Sequence, residues 1–405
     1  MRALFVPAAT AGHYFPMVPF AWALRTAGHE VCVACQPPVA DLVVRSGHTA
    51  VTIGGSYDLM ASVAEADLTI RGRLGRSPAS FGELAVMDPE LRKWQGELRI
   101  APHVRAAEAM AGDLVELARA WRPDVIVTDP VTMAAPLAAE VAGVPLVHHM
   151  WGPQEPTLTK FAGFGADPDR WPDDLRKLYD GFGADVRADY GLFSIAACPP
   201  GLQSGTVPRR HTFRYVPYNG SALLPPWLGA AGHGRPRVCV SWTTSRATNP
   251  ADGGHPVAAA ARALAAELDV EVVAAVTADD RRAGLGPVPD GVRIAAELPL
   301  HSVLPTCAVS VNTGGAGSVL TAAVNGVPQV VTPLGPAHSF NGERVTAAGA
   351  GVCLAPGGTD LDGLTASVSA MLSDDRWRQA AEELRRENLA QPPLAEAVRL
   401  LEEAL

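Results

Sequence analysis

The chain lacks any apolar run of about 18 residues, the length a membrane-spanning helix needs. Its first residues, MRALFVPAAT, enter a strand-like run at once, without the apolar core of a secretory leader. Positive charge is also short: a formal net charge of −9 gives a nucleic-acid surface no global support. The basic stretches RGRLGR (71–76) and PRR (208–210) read as solvated loop charge. Cysteine is sparse, at 32, 35, 198, 239, 307 and 353, mostly within strand-like runs. Cys32 and Cys35 make a C-x-x-C, but no second pair or histidine cluster accompanies it, so two strand cysteines are expected rather than a zinc or redox site. No G-x-G-x-x-G and no G-x-x-x-x-G-K-[ST] occurs in the Gly-rich stretch at 311–331. Together these absences point to a cytoplasmic, reduced protein that binds neither nucleic acid nor membrane.

What is present is an ordinary globular composition, 48% apolar and 19% charged, over 405 residues. That length favours two domains. Short apolar runs alternate with helical patterns: RALFVPA, then PMVPFAWALRTAG stopped by Gly28, then EVCVAC, PPVADLVVRSG and TAVTI. PHVRAAEAMAGDLVELARAW reads as a helix, DVIVTD and VPLVHHM as strands. Near-continuous apolar strands between helices imply parallel sheets covered on both faces. Residues 214–235, rich in Pro and Gly, read as a linker, after which a second α/β series begins. The expected organisation is an N-terminal Rossmann-like domain at 1–213, the linker, a C-terminal Rossmann-like domain at 236–373, and a helical tail at 374–405 packing back toward the first domain. The halves share no visible repeat. Ligands of such sheets sit beyond the carboxyl ends of the strands, and the cleft between domains is a preferred pocket.

The stretch VNTGGAGSVLTAAVNGVPQVV (311–331) reads as strand, glycine turn, helix, glycine stop and strand. Glycines at a helix mouth let an anion approach free backbone N–H groups. The same stretch also suits a plain tight turn.

Four segments together, at 11–31, 124–147, 297–335 and 341–352, resemble the nucleotide-sugar-dependent glycosyltransferases of GT-B fold. The resemblance is strongest to the bacterial enzymes that attach deoxysugars to polyketide and other natural products. It runs in order along nearly the whole chain and is weak at 54–100 and 151–189. It implies two doubly wound domains facing a cleft. It also implies inverting transfer from a dTDP- or UDP-sugar to a hydrophobic aglycone, without metal and with no cofactor beyond the donor. Nucleotide sugar and small-molecule aglycone are then the partners, and a homodimer is compatible.

The resemblance assigns His13, in AGHYFP, as general base, a role its near-neutral pKa suits. Without the motif, a lone loop histidine would read as solvated or capping. Asp129 matches the family acid that orients the histidine, and it equally suits a helix N-cap. The donor diphosphate falls to Thr313, Gly314, Gly315, Ala316, Gly317 and Ser318, where the family has His-Gly-Gly-Ala-Gly-Thr. Thr313 replaces the histidine, which removes a charge-assisted contact of roughly 1 kcal/mol or more. Thr243, Thr244 and Ser245 form a second candidate phosphate loop or a simple turn. Leu298 and Leu300 match the loop over the pyrimidine, or belong to the core.

The family's Asp-Gln at the sugar is Ala337-His338 here, which suits a donor with fewer hydroxyls. Asn341 and Glu343 are expected to start and cap the next helix. An apolar acceptor site is expected from Tyr57, Met60, Phe81, Met87, Trp94, Trp151, Phe161 and Phe164, each of which also suits local packing. Two rivals share the fold. A non-catalytic partner protein would explain Thr313 and Ala337, though not the retained His13 and Asp129. A nucleotide-sugar epimerase would carry more carboxylates at the sugar and would not need large apolar loops.

Overall fold

Among the described residues of this computed structural model, every strand runs parallel to its neighbours, in two separate sheets. The structure describes all residues except 56, 154–160, 206, 230–233, 243–254, 278–284 and 357–359. Thr243, Thr244 and Ser245 therefore lie outside the described residues.

The first sheet contains β1 (Arg2–Val6), β2 (Glu30–Cys35), β3 (Thr49–Thr52), β4 (Val125–Thr128), β5 (Leu146–His149), β6 (Gly191–Ala197) and β7 (Arg210–Phe213). Their order is β3-β2-β1-β4-β5-β6-β7. The second contains β8 (Arg237–Ser241), β9 (Glu271–Val276), β10 (Val292–Ala296), β11 (Val309–Asn312), β12 (Gln329–Val331) and β13 (Gly351–Cys353), ordered β10-β9-β8-β11-β12-β13. In each sheet the chain winds outward one way and then returns to wind the other. The reversal falls between β1 and β4 in the first sheet and between β8 and β11 in the second, and the open crevice of a doubly wound sheet lies there. The apolar strand runs are buried on both faces, as in β4 and β5.

β6, β7 and β13 carry weak strand signals. β6 reads GLFSIAA, full of small residues, β7 is a short polar edge, and β13 has only three residues. Their pairing comes from the sheet already in place. The helix Pro89–Trp121 starts well before Pro102, which sits inside it. Tertiary contact overrides the break there, and the Pro102 carbonyl accepts from the Tyr57 hydroxyl at 2.9 Å. Cys32 and Cys35 lie an odd number of residues apart on β2 and so face opposite sides. Cys32 joins the cluster with Ile126 and Met133, Cys35 the one with Phe5 and Val39, which rules the pair out as one site.

The last helices tie the halves together. Arg376–Ala390 packs on the helix Ala316–Val324 of the second domain. Asn388 then accepts from the Tyr215 N–H at 2.8 Å and donates to its carbonyl at 3.1 Å. The helix Leu394–Ala404 presents Leu394, Ala397, Val398 and Leu401, at three- and four-residue spacing, to Phe5, Phe20 and Leu24 of the first domain. Leu401 is fully buried. Leu401→Ala should cost about 2–5 kcal/mol of unfolding free energy. A urea midpoint equal to that of the unmodified protein would show that this helix is not held by that face.

Candidate active site

β1 ends at Val6 and the chain turns over Ala8 and Thr10 into the short helix Ala11–Tyr14. The Thr10 carbonyl accepts from the N–H groups of His13 and Tyr14, which places the imidazole just past the strand end. β4 ends beside it and delivers Asp129, which is 1% exposed. One carboxylate oxygen of Asp129 accepts from the Ala8 N–H at 2.8 Å; the other accepts from the Val131 N–H at 3.0 Å and the Thr132 hydroxyl at 3.1 Å. The helix that follows starts later, at Ala134, so Asp129 caps the 129–132 turn rather than the helix. His13 Nδ1 stands 3.4 Å from Asp129 Oδ2. Burial alone would raise the Asp129 pKa. The facing His13 and the Ala8 and Val131 N–H groups outweigh it and hold the carboxyl below its usual range. With Nδ1 turned to a carboxylate, Nε2 is the nitrogen left to act as a base.

The indole of Trp151, just past β5, lies on the imidazole at 4.4 Å between ring centroids, tilted 38°. His103, on the helix Pro89–Trp121, lines a crevice beside Asp129 with Ala8, Gln36, Leu59, Met110 and Val131. Burial first, then the neighbouring His13, push its pKa down to about 4 against the pull of Asp129. Gln36 and His103 carried no motif and were not legible in the sequence.

The expected acceptor residues divide. Tyr57 packs with Ala9, Leu59 and Ala106 next to the His13 loop, and Phe161 meets His103 edge-on at 6.4 Å. With Trp151, these rings lie around His13 and His103. Phe81 lies at the seam between domains, 6.0 Å from Phe340. Met60 and Met87 are half-buried. The Trp94 ring is covered by the Arg73 guanidinium at 4.3 Å, which makes it a helix-to-helix contact. Phe164 is fully buried against His148, Met150 and Val207, so it is a core ring and not a lining one.

Across the cleft, β11 ends at Asn312 and the glycine turn follows. Thr313 is buried, whereas Gly315, Ala316, Gly317 and Ser318 are half-buried at the mouth of the helix Ala316–Val324. Gly314 has φ +85°, and a Cβ there would lie 2.5 Å from the His338 carbonyl oxygen, so both backbone and packing demand glycine. A chain of amides holds the turn. Asn312 accepts from the Gly314 N–H at 2.9 Å and donates to Gln329 at 3.0 Å; Gln329 donates to the Val319 carbonyl at 3.1 Å; Asn341 donates to the Gly314 carbonyl at 2.8 Å. Asn341 and Glu343 thus lie inside the helix Pro336–Ala347 rather than at its start. Ala337 and His338 occupy its first turn. Leu298 and Leu300 are half-buried against the core formed by Leu228, Cys239 and Val303.

The domains meet directly around these groups. A Cβ on Gly152 would sit 2.5 Å from the Ala316 Cβ. The Ser339 hydroxyl donates to the Ala79 carbonyl at 2.6 Å. From the linker, the Tyr218 ring meets Phe15 and Trp22, each at 5.2 Å, and His301 at 6.3 Å. Asn219 accepts from the His301 N–H at 2.9 Å. Among the described residues, no group of three or more His, Cys, Asp or Glu is arranged to hold a metal, and no helix is long and apolar enough to cross a membrane.

Two parallel-sheet α/β domains of this topology match the GT-B architecture of solved glycosyltransferases. The spinosyn rhamnosyltransferase SpnG superposes with a TM-score of 0.80 at 30% identity, over 99% of this chain and 100% of that one. It has been solved with thymidine diphosphate and with spinosyn aglycone. The chain belongs to the family of erythromycin biosynthesis protein CIII-like proteins, whose N-terminal domain model matches residues 22–243 and whose C-terminal domain model matches residues 261–404. It is 32% identical to the 3-alpha-mycarosylerythronolide B desosaminyl transferase of Saccharopolyspora erythraea, over 100% of this chain and 98% of that one. To the L-demethylnoviosyl transferase of Streptomyces niveus it is 36% identical, over 97% of this chain and 95% of that one.

The buried histidines of this fold make a prediction about acid. Burial lowers His48, His148 and His149 to about 4. In the unfolded chain they titrate near 6.5. A depressed folded pKa contributes stability that is full above about pH 6.5 and is lost as pH falls toward 4, at about 1.4 kcal/mol per pH unit for each group. Urea unfolding from pH 7.5 to 5 should show that decline, and a flat profile over the range would contradict the neutral burial of these rings.

Proposed function

We propose that this glycosyltransferase moves a deoxysugar from dTDP- or UDP-sugar to an apolar natural-product aglycone, with inversion and with His13 as base. His13 Nε2 takes the proton of an acceptor hydroxyl. The hydroxyl oxygen bonds to the sugar's anomeric carbon as the bond from that carbon to the diphosphate oxygen breaks. The diphosphate leaves with the electron pair. Asp129 holds the imidazole and stabilises its charged form.

The observation that carries this reading is the facing of two switch points. The His13–Asp129 pair stands past β1 and β4. Opposite, past β11, stands a helix mouth with open space at Gly315, where a Cβ would meet nothing within 4 Å. Neither packing nor backbone requires that glycine, and an anion seated on the first-turn N–H groups of Ala316, Gly317 and Ser318 would. Ala337 in place of a carboxylate fits a sugar with fewer hydroxyls, and the relatives' names include desosaminyl and L-demethylnoviosyl transfer. The thymidine diphosphate of SpnG supports dTDP over UDP. The rings around His103 and His13 favour a planar or macrocyclic apolar acceptor. Free, mostly buried thiols are compatible with a cytoplasmic setting.

Calorimetric titration with dTDP and UDP tests the donor seat, and a screen of aglycones with the matching donor tests transfer. His13→Ala should lower kcat by about 10²–10⁴-fold while leaving the dTDP Kd within a factor of two or so. Undiminished transfer by this variant would remove His13 as base. Thr313→His should tighten dTDP by restoring the charge-assisted contact; unchanged affinity would mean that this position does not touch phosphate.

A further inference from the structure

The base and the donor helix are in different domains, yet a short chain of contacts joins them. His13 lies under Trp151 at 4.4 Å. The next residue, Gly152, meets the first residue of the helix Ala316–Val324. The contact is so close that a methyl group on Gly152 would lie 2.5 Å from the Ala316 Cβ, and the next nearest atom, the Ala316 Cα, is 3.7 Å away. Gly152 does not have a positive φ. The glycine is therefore demanded neither by its own backbone nor by its own domain, only by the approach of the other one.

We propose that Gly152 is a positioning residue whose missing side chain sets the gap between the general base and the diphosphate seat, with Trp151 carrying that register to His13. The inference rests on the donor and base assignments above. In-line transfer tolerates little misplacement, since a shift of about 1 Å costs on the order of 100-fold in rate. A methyl group at residue 152 must push the first turn of the donor helix or the whole second domain away from His13. The strain has one partner, so removing that partner must remove the strain. With Ala316→Gly the nearest atom to the new methyl becomes the Cα at 3.7 Å, an ordinary contact.

The test is a double-mutant cycle of Gly152→Ala and Ala316→Gly in the full chain, read in two ways. By calorimetry with dTDP, Gly152→Ala should weaken binding about tenfold or more relative to the unmodified protein, and the double variant should match Ala316→Gly alone. By urea unfolding without ligand, Gly152→Ala should lower the midpoint, and this penalty should vanish in the Ala316→Gly background. Additive effects in both measurements, or a Gly152→Ala variant indistinguishable from the parent, would overturn the proposal. If the parent binds neither dTDP nor UDP, the donor assignment fails separately, and the unfolding cycle still decides whether the two residues share the seam. Where transfer is measurable, kcat should fall in Gly152→Ala more than the KM for aglycone rises, and it should recover in the double variant relative to Gly152→Ala.

Discussion

The buried carboxylate of Asp129 is the interaction on which the first half of the site depends. It is withdrawn from water and would be costly there without partners. It finds them in the Ala8 and Val131 N–H groups, the Thr132 hydroxyl and the His13 ring. Those partners come from the ends of two neighbouring strands, so one charge closes the crevice of the sheet and aims the histidine. A neutral side chain of the same shape would hold fewer of these groups and would not favour a charged imidazole beside it.

The glycine turn of the second domain is built on the opposite principle. Asn312, Gln329 and Asn341 hold the glycine turn through amides. In the proposed reading, the first-turn N–H groups of this helix receive an anion without reorganisation. In that reading, Thr313 in place of the usual histidine makes the seat depend more on backbone groups. The linker and the tail then join the halves, Asn219 by bonding to His301 and the last helix by burying Leu401 on the first domain.

Much of this was legible in the residue order. The strand–helix alternation, the parallel sheets and the positions of His13, Asp129 and the glycine turn follow from apolar runs, Gly and Pro punctuation and the family motif. Strands with weak signals were not legible: β6 with its small residues and β7 and β13 with their brevity are strands because an existing edge pairs with them. The helix Pro89–Trp121 ran through a proline that local rules read as a start. Among the expected acceptor rings, Phe164 and Trp94 had the right chemistry and the wrong neighbours, since composition cannot say which face of a loop is covered.

The sequence by itself determined the class of fold and the chemistry on offer, because both depend on local patterns of residues that recur at fixed spacing. Only the tertiary structure decided which distant groups meet. Asp129 bonds to a backbone group 121 positions away, His103 turns into the crevice beside that carboxylate, and Gly152 meets Ala316 across the cleft. Periodicity specifies which face of an element is buried, not what that face is buried against, and the site is made of the second kind of contact.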